Sequence, residues 1–215
     1  MHAFKHTSAQ FIEGILTRGA FKISRLSYFR ELEHTGSSTA DKYEGRVSGV
    51  LDGEVSIDMD EDRPRAVKQL ARYGVALSSN IAGGMKFIIS NHRMEFTCAD
   101  AYILSLSGDV VNAGLRSEGN DAVVSISSLH VVAHALAEAH ADRLSLPTVA
   151  HVRYEPRIID LRSDDPLNAD PFVKDTRFAS QHEIRIAWKA LDNGTQFFIT
   201  ECPSVARYLQ VVGHE

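Results

Sequence analysis

Apolar and polar residues alternate over Glu183-Ile184-Arg185-Ile186-Ala187-Trp188. That pattern predicts a strand with Ile184, Ile186 and Trp188 on one face and Glu183, Arg185 and Ala187 on the other. If the strand extends back to Gln181, the side chains of Gln181 and Glu183 share a face, roughly 7 Å apart. The same reasoning predicts strands over Ala3 to Thr7, Ala20 to Ser24, Tyr102 to Ser107, Val123 to Ile126, Val149 to Tyr154 and Ile158 to Leu161. Two strand pairs are expected around turn signals: Val47 to Ile57 at Asp52-Gly53, and Met85 to Cys98 at Asn91-His92. A last hairpin should join Ile184–Trp188 to Gln196–Thr200 through Asp192-Asn193-Gly194. Helical spacing recurs in three places. Ala9 to Thr17 carries Phe11, Ile12, Ile15 and Leu16, with Ser8 as N-cap and Gly19 as the terminating residue. Leu26 to Leu32 makes a short helix, and Ser128 to Leu144 makes a longer one with Leu129, Val132, Ala133, Leu136 and Ala139 on one face. Residues 34–46 and 162–180 read as loops.

Strands outnumber helices and do not alternate regularly with them, so the class is α+β with a mixed, mostly antiparallel sheet and flanking helices. The 215 residues suit a single domain, 1–215, with an inserted region at about 47–84. The net charge of -5 excludes a global basic footprint for nucleic acid and leaves room only for a local one. Cys98 and Cys202 are far apart in apolar surroundings and read as buried free thiols. The first residues lack the apolar stretch of a signal peptide, and no run approaches a membrane span. A cytoplasmic protein without a membrane partner is the expectation.

The pieces that carry chemistry lie at the two ends of the chain. His6-Thr7 closes the first strand, Ile15-Leu16-Thr17-Arg18-Gly19 ends the first helix, Ser27-Tyr28 follows, and Gln181-His182-Glu183 comes late. This order resembles the ADP-ribosyltransferase superfamily, which includes the tRNA 2′-phosphotransferases and the DNA-targeting toxins. There, His-Thr on a first strand, an I-L-x-x-G helix, a Tyr or Ser, and a late E-x-E or Q-x-E occur in that sequence. The chain also resembles a family of uncharacterised bacterial proteins with D-P-F-E-G-like and E-x-E-Y-R-I-like motifs. The matching pieces are Asp41-Lys42-Tyr43-Glu44-Gly45 and Asp170-Pro171-Phe172-Val173-Lys174-Asp175, leading to Gln181-His182-Glu183-Ile184-Arg185-Ile186. That second likeness implies no activity. The first implies a split β-sheet, NAD as substrate, and transfer of ADP-ribose to a protein or nucleic-acid acceptor by a bacterial toxin, defence effector or modifying enzyme. Cleaving the nicotinamide–ribose bond passes through an oxocarbenium-like state, which a nearby carboxylate stabilises. On this resemblance Glu183 takes that role and grips the ribose 2′-hydroxyl, while Gln181 positions the acceptor. His6 bonds the other ribose beside Thr7, and Tyr28, with Ser27 next to it, stacks on nicotinamide.

Other readings compete. Glu183 and Arg185 are equally suited to pair with charges on a neighbouring strand. The chain then becomes a non-catalytic module binding a nucleotide or a protein. His130, His134 and Glu138 share one helical face and suggest a zinc-dependent hydrolase. However, position 131 is Val, so the general-base Glu of H-E-x-x-H is missing, and no metal is assigned. Asp41, Glu44 and the Asp58–Asp62 stretch lack the spacing of an EF-hand.

Overall fold

The computed structural model describes residues 1–32, 44–59, 62–77, 85–112, 119–163, 165, 167 and 169–212. The loop expected at 34–46 therefore lies largely outside the described residues, as do Asp41, Lys42 and Tyr43, and Asp60 and Glu61 of the acidic stretch. The class is mixed α+β with mostly antiparallel sheets. The chain divides into two compact units. The first takes Met1–Gly45, Cys98–Glu155 and Asp170–Glu215, and the second takes Arg46–Thr97 and Pro156–Ala169. The insertion expected at about 47–84 falls within the second unit, which runs further.

The first unit is built on one sheet. Strands β1 (Ala3–Thr7), β2 (Lys22–Arg25), β5 (Ala101–Ser107), β6 (Ala122–Ile126), β12 (Phe197–Ile199) and β13 (Leu209–Val212) run in the order β12-β2-β5-β1-β6-β13. On the other edge of β5 lies β11 (Glu183–Ala190), which pairs onward with β7 (Leu144–His151). Two short strands, β8 (Arg153–Tyr154) and β10 (Val173–Lys174), pair in parallel beside it. The apolar face of β11 behaves as its alternation predicts: Ile184, Ile186 and Trp188 join Tyr102, Leu104 and Leu106 in the main core. Trp188 is fully buried, and its indole N–H donates to the Ala133 carbonyl at 3.4 Å. That carbonyl belongs to α4 (Leu129–Ala139), whose Leu129, Val132, Ala133 and Leu136 fill the same core. The helix stops short of the expected Leu144 because Leu144 is claimed by β7, paired with Ala190.

Helix α1 (Ile12–Arg18) follows a single 3-10 turn at Ala9–Phe11. Ser8 makes no side-chain cap; the Ala9 amide donates instead to Asp121 at 2.6 Å. Gly19 ends the helix at φ 60, and a Cβ there would lie 2.4 Å from the Cys202 carbonyl oxygen. Both constraints require glycine. Helix α2 covers Leu26–Leu32, as its pattern predicts. The expected hairpin of Ile184–Trp188 with Gln196–Thr200 does not form: β12 pairs with β2. Asp192, in the presumed turn, instead receives Arg25 at 2.6 Å and the Tyr102 hydroxyl at 3.0 Å.

In the second unit, β3 (Arg46–Asp58) pairs antiparallel with β4 (Lys86–Thr97) and parallel with β9 (Ile158–Asp160). Both turn signals in this region were expected to make hairpins. They meet across one ladder instead, where Asp52 and Gly53 oppose the single residue Asn91, a β-bulge. Gly53 at φ 87 and Asn91 at φ 46 supply the positive φ angles that had suggested turns, and the Gly53 amide donates to the Asn91 side chain at 3.1 Å. Helix α3 (Arg63–Arg72) packs Ala66 and Leu70 against Leu51, Ile57, Met59 and Leu161. The sequence reading had not assigned this helix. Its start was legible in Asp62, which caps the Arg65 amide at 3.2 Å, followed by Pro64 in the first turn.

Candidate functional site

Strand β5 has two different neighbours on one edge. It pairs with β2 at Tyr102 and Ile103, and with β1 only at Ser107. Past Phe4, β1 leaves β5 and pairs along its length with β6, while β2 pairs outward with β12. The sheet is therefore split, and the gap exposes the edge of β5 between Ile103 and Ser107. Lys5 reaches into it and donates to the Ser105 carbonyl at 3.2 Å. A cleft of about 410 Å³ opens over this gap, lined by residues of β1, β2, α2, β5, β10 and β11 and of the turn before β11. Its volume falls within the range of small-molecule sites, roughly 300–1,000 Å³.

The floor of the cleft is a group of buried charges. Register places Glu183 opposite Ser107 and Arg185 opposite Ser105, so both side chains rise from the same face. Arg185 holds Glu183 with both arms of its guanidinium, at 2.6 and 3.2 Å, and also pairs with Glu44. The Lys174 ammonium donates to Glu183 at 3.2 Å and to the Gln181 side-chain oxygen at 2.8 Å. Glu44, Lys174, Glu183 and Arg185 are all 5 % exposed or less. Burial alone would raise the Glu183 pKa, but the charges of Arg185 and Lys174 outweigh it and hold the carboxyl well below its usual range. Burial likewise opposes the charge on Arg185, and Glu183 and Glu44 overcome it. For Lys5 burial wins: its pKa is lowered, with Glu183 opposing the shift in part. The two acids and two bases of the floor cancel. Among the described lining residues, Lys5 and Lys22 leave the balance of charge positive.

The residues singled out in the sequence are distributed as follows. His6, Tyr28, Gln181 and Glu183, from three separate segments, all line this cleft. The His6 Nε2 is 3.0 Å from the Asp109 carbonyl. Tyr28 is half-buried at the rim, its hydroxyl 3.3 Å from Lys22, whose ammonium sits 4.8 Å from the Tyr28 ring centre and 4.2 Å from that of Phe197. Gln181 is not in an extended strand with Glu183. It ends a 3-10 helix (Thr176–Gln181), and His182 turns the chain at φ 43 before β11 begins. The two side chains meet through Lys174 rather than through strand alternation. Thr7 lines a neighbouring cavity of about 750 Å³ beside α1, which shares Lys5, His6 and Lys22 with the cleft. Ser27 turns away: its hydroxyl and amide both bond Asp100, at 3.0 and 3.2 Å. Sequence reasoning missed Lys5, Lys22 and Lys174. Lys5 directly precedes His6 and Lys174 stands inside a motif already singled out, so their charge was the available signal. His130, His134 and Glu138 are exposed on α4. Among the described residues no cluster of three or more His, Cys, Asp or Glu is arranged to hold a metal ion. No helix of the described residues is long and apolar enough to cross a membrane. Compared with protein-family models, with curated proteins and with solved structures, the chain matches none.

Proposed function

We propose that the cleft binds NAD and supports transfer of its ADP-ribose to a macromolecular acceptor, protein or nucleic acid, with release of nicotinamide. The observation that carries this reading is the meeting of His6, Tyr28, Gln181 and Glu183 in one cleft at a split in the sheet. The split supports an ADP-ribosyltransferase-like fold. Lys5 and Lys22 draw in the diphosphate, and Tyr28 offers an aromatic face to nicotinamide. The bond from ribose C1′ to the pyridinium nitrogen breaks, its electron pair leaves with nicotinamide, and the acceptor adds at C1′ as it loses a proton. Glu183, its carboxyl held well below the usual range by Arg185 and Lys174 despite burial, stabilises the positive charge that develops on the ribose. Gln181 stands beside it to orient the acceptor. A toxin, defence or modifying role in the cytoplasm belongs to the same proposal.

One observation favours a second reading, a nucleotide-binding module without turnover. Both oxygens of Glu183 already receive cationic donors, which weakens the carboxylate as a partner for an oxocarbenium centre. Incubation with NAD distinguishes the two. Release of nicotinamide, lost in Glu183→Gln and Tyr28→Ala proteins shown to be folded, supports the transferase. A thermal shift with NAD but no nicotinamide supports the binding module, and neither response removes both.

A further inference from the structure

We propose that the face of α3 bearing Arg65, Lys68 and Arg72 binds the phosphodiester backbone of a nucleic acid, without reading its bases. A hollow of about 570 Å³ lies here, lined by Arg65, Lys68, Gln69, Arg72, Arg162 and Leu167. Among the described residues no carboxylate lines it. Positions 65, 68, 69 and 72 follow helical spacing and share one face, while Ala66 and Leu70 take the buried one. The charges are not consumed by the fold. Arg65 and Lys68 are exposed, and neither side chain makes an ion pair or hydrogen bond among the described residues. Arg72 donates to the carbonyls of Leu161 at 3.0 Å and Asp165 at 2.6 Å. Carbonyls fix the guanidinium in place but do not neutralise it. Arg162 is the compensated member, 3.6 Å from Asp160. Helix α3 itself contains four cations and no acid, so the usual i,i+4 pairing of a solvated helix is missing.

Three cations without an ion pair among the described residues remain along two helical turns. Arg65 to Arg72 spans about 10.5 Å, and a nucleic-acid strand carries one charge per ~3.4 Å of axis, so the row matches about three phosphates. Guanidinium forks suit phosphate oxygens, and Gln69 adds a neutral donor between them. A regular, closely spaced row of anions fits this row better than the irregular carboxylates of an acidic protein segment. Among the described residues the lining has no aromatic side chain, so they offer no platform for stacking bases. The whole chain is acidic, at -5, so attraction is confined to this patch and must be weak and salt-sensitive. The proposal does not depend on what the cleft binds.

The test uses the full chain, labelled 12-nucleotide single strands and duplexes, and fluorescence anisotropy at 50 and 200 mM salt. With about three phosphate contacts, affinity should fall roughly 20- to 40-fold between the two salt concentrations. Arg65→Gln with Lys68→Gln should leave about one contact, weaken binding at 50 mM, and reduce the salt effect to roughly threefold. Both residues are exposed, so an unchanged melting curve is expected for the double variant, and Lys68→Gln alone should lie between it and the wild type. Binding of either nucleic acid with this pattern supports the proposal. No binding at 50 mM, affinity unchanged by the double substitution, or equal binding of polyglutamate of matched charge overturns it.

Discussion

Replacing Glu183 by Gln should destabilise the protein strongly at neutral pH and progressively less in acid. Glu183 is 5 % exposed and balances Arg185 and Lys174. In the variant Arg185 keeps Glu44, but Lys174, itself 4 % exposed, is left with the neutral Gln181 amide. Removing one partner of a buried pair costs about 3–5 kcal/mol, a large share of the ~5–15 kcal/mol that holds a typical domain folded. The pH dependence follows from the depressed carboxyl pKa. Its stabilisation is fully present above the unfolded value near 4.3 and is lost as pH falls toward the folded value. At pH 3.5 the unfolded wild type has taken up a proton that the folded wild type refuses, so the gap between wild type and variant shrinks by about 1.2 kcal/mol. Urea unfolding at pH 7 and 3.5, followed by the fluorescence of the single, fully buried Trp188, measures both quantities. A cost within the ~0.5 kcal/mol of an ordinary surface substitution, or a gap that does not narrow in acid, refutes the buried-charge account.

Further outcomes follow from other parts of the structure. Gly19→Ala places a side chain at φ 60 against the Cys202 carbonyl and should lower stability by about 1–3 kcal/mol in a thermal melt. Asp62→Ala removes the cap of α3 and should cost about 1 kcal/mol, read by urea unfolding. Lys5 has a folded pKa below the unfolded value near 10.4, so between the two the unfolded chain binds the extra proton and stability from this residue rises with pH. The difference between wild type and Lys5→Met should therefore grow in favour of the wild type as pH rises toward the unfolded value, and a flat difference contradicts the desolvation of Lys5.

Local pattern was enough to find most elements but not their partners. The Ala3–Thr7 strand, the Leu26–Leu32 helix and the glycine stop at Gly19 depend on periodicity and on φ, which a short window of sequence contains. Pairing depends on distant residues. Asn193-Gly194 marks a reversal of the chain, but Phe197–Ile199 goes to β2 because Arg25 and Tyr102 anchor Asp192 on that side. Gly53 and Asn91 each signalled a turn for a sound reason, a positive φ, yet one bulge uses both. In the site, the alternation of Glu183 and Arg185 was legible, whereas their junction with Lys174, Gln181 and Glu44 passes through a 3-10 turn and a distant segment that no period describes. The cationic wall of Lys5 and Lys22 arises from the divergence of β1 and β2, a property of the sheet rather than of either strand.

The proposed function requires first that the split between β1 and β2 bind a nucleotide. Isothermal titration of the full chain with NAD, beside a Lys22→Glu, Tyr28→Ala variant altered only at the rim of the cleft, tests it most directly. One NAD should bind per chain, with at least a tenfold weaker affinity in the variant, a loss of about 1.4 kcal/mol, and with melting behaviour preserved. No heat of binding in the wild type, or NAD bound equally well by the variant, contradicts it.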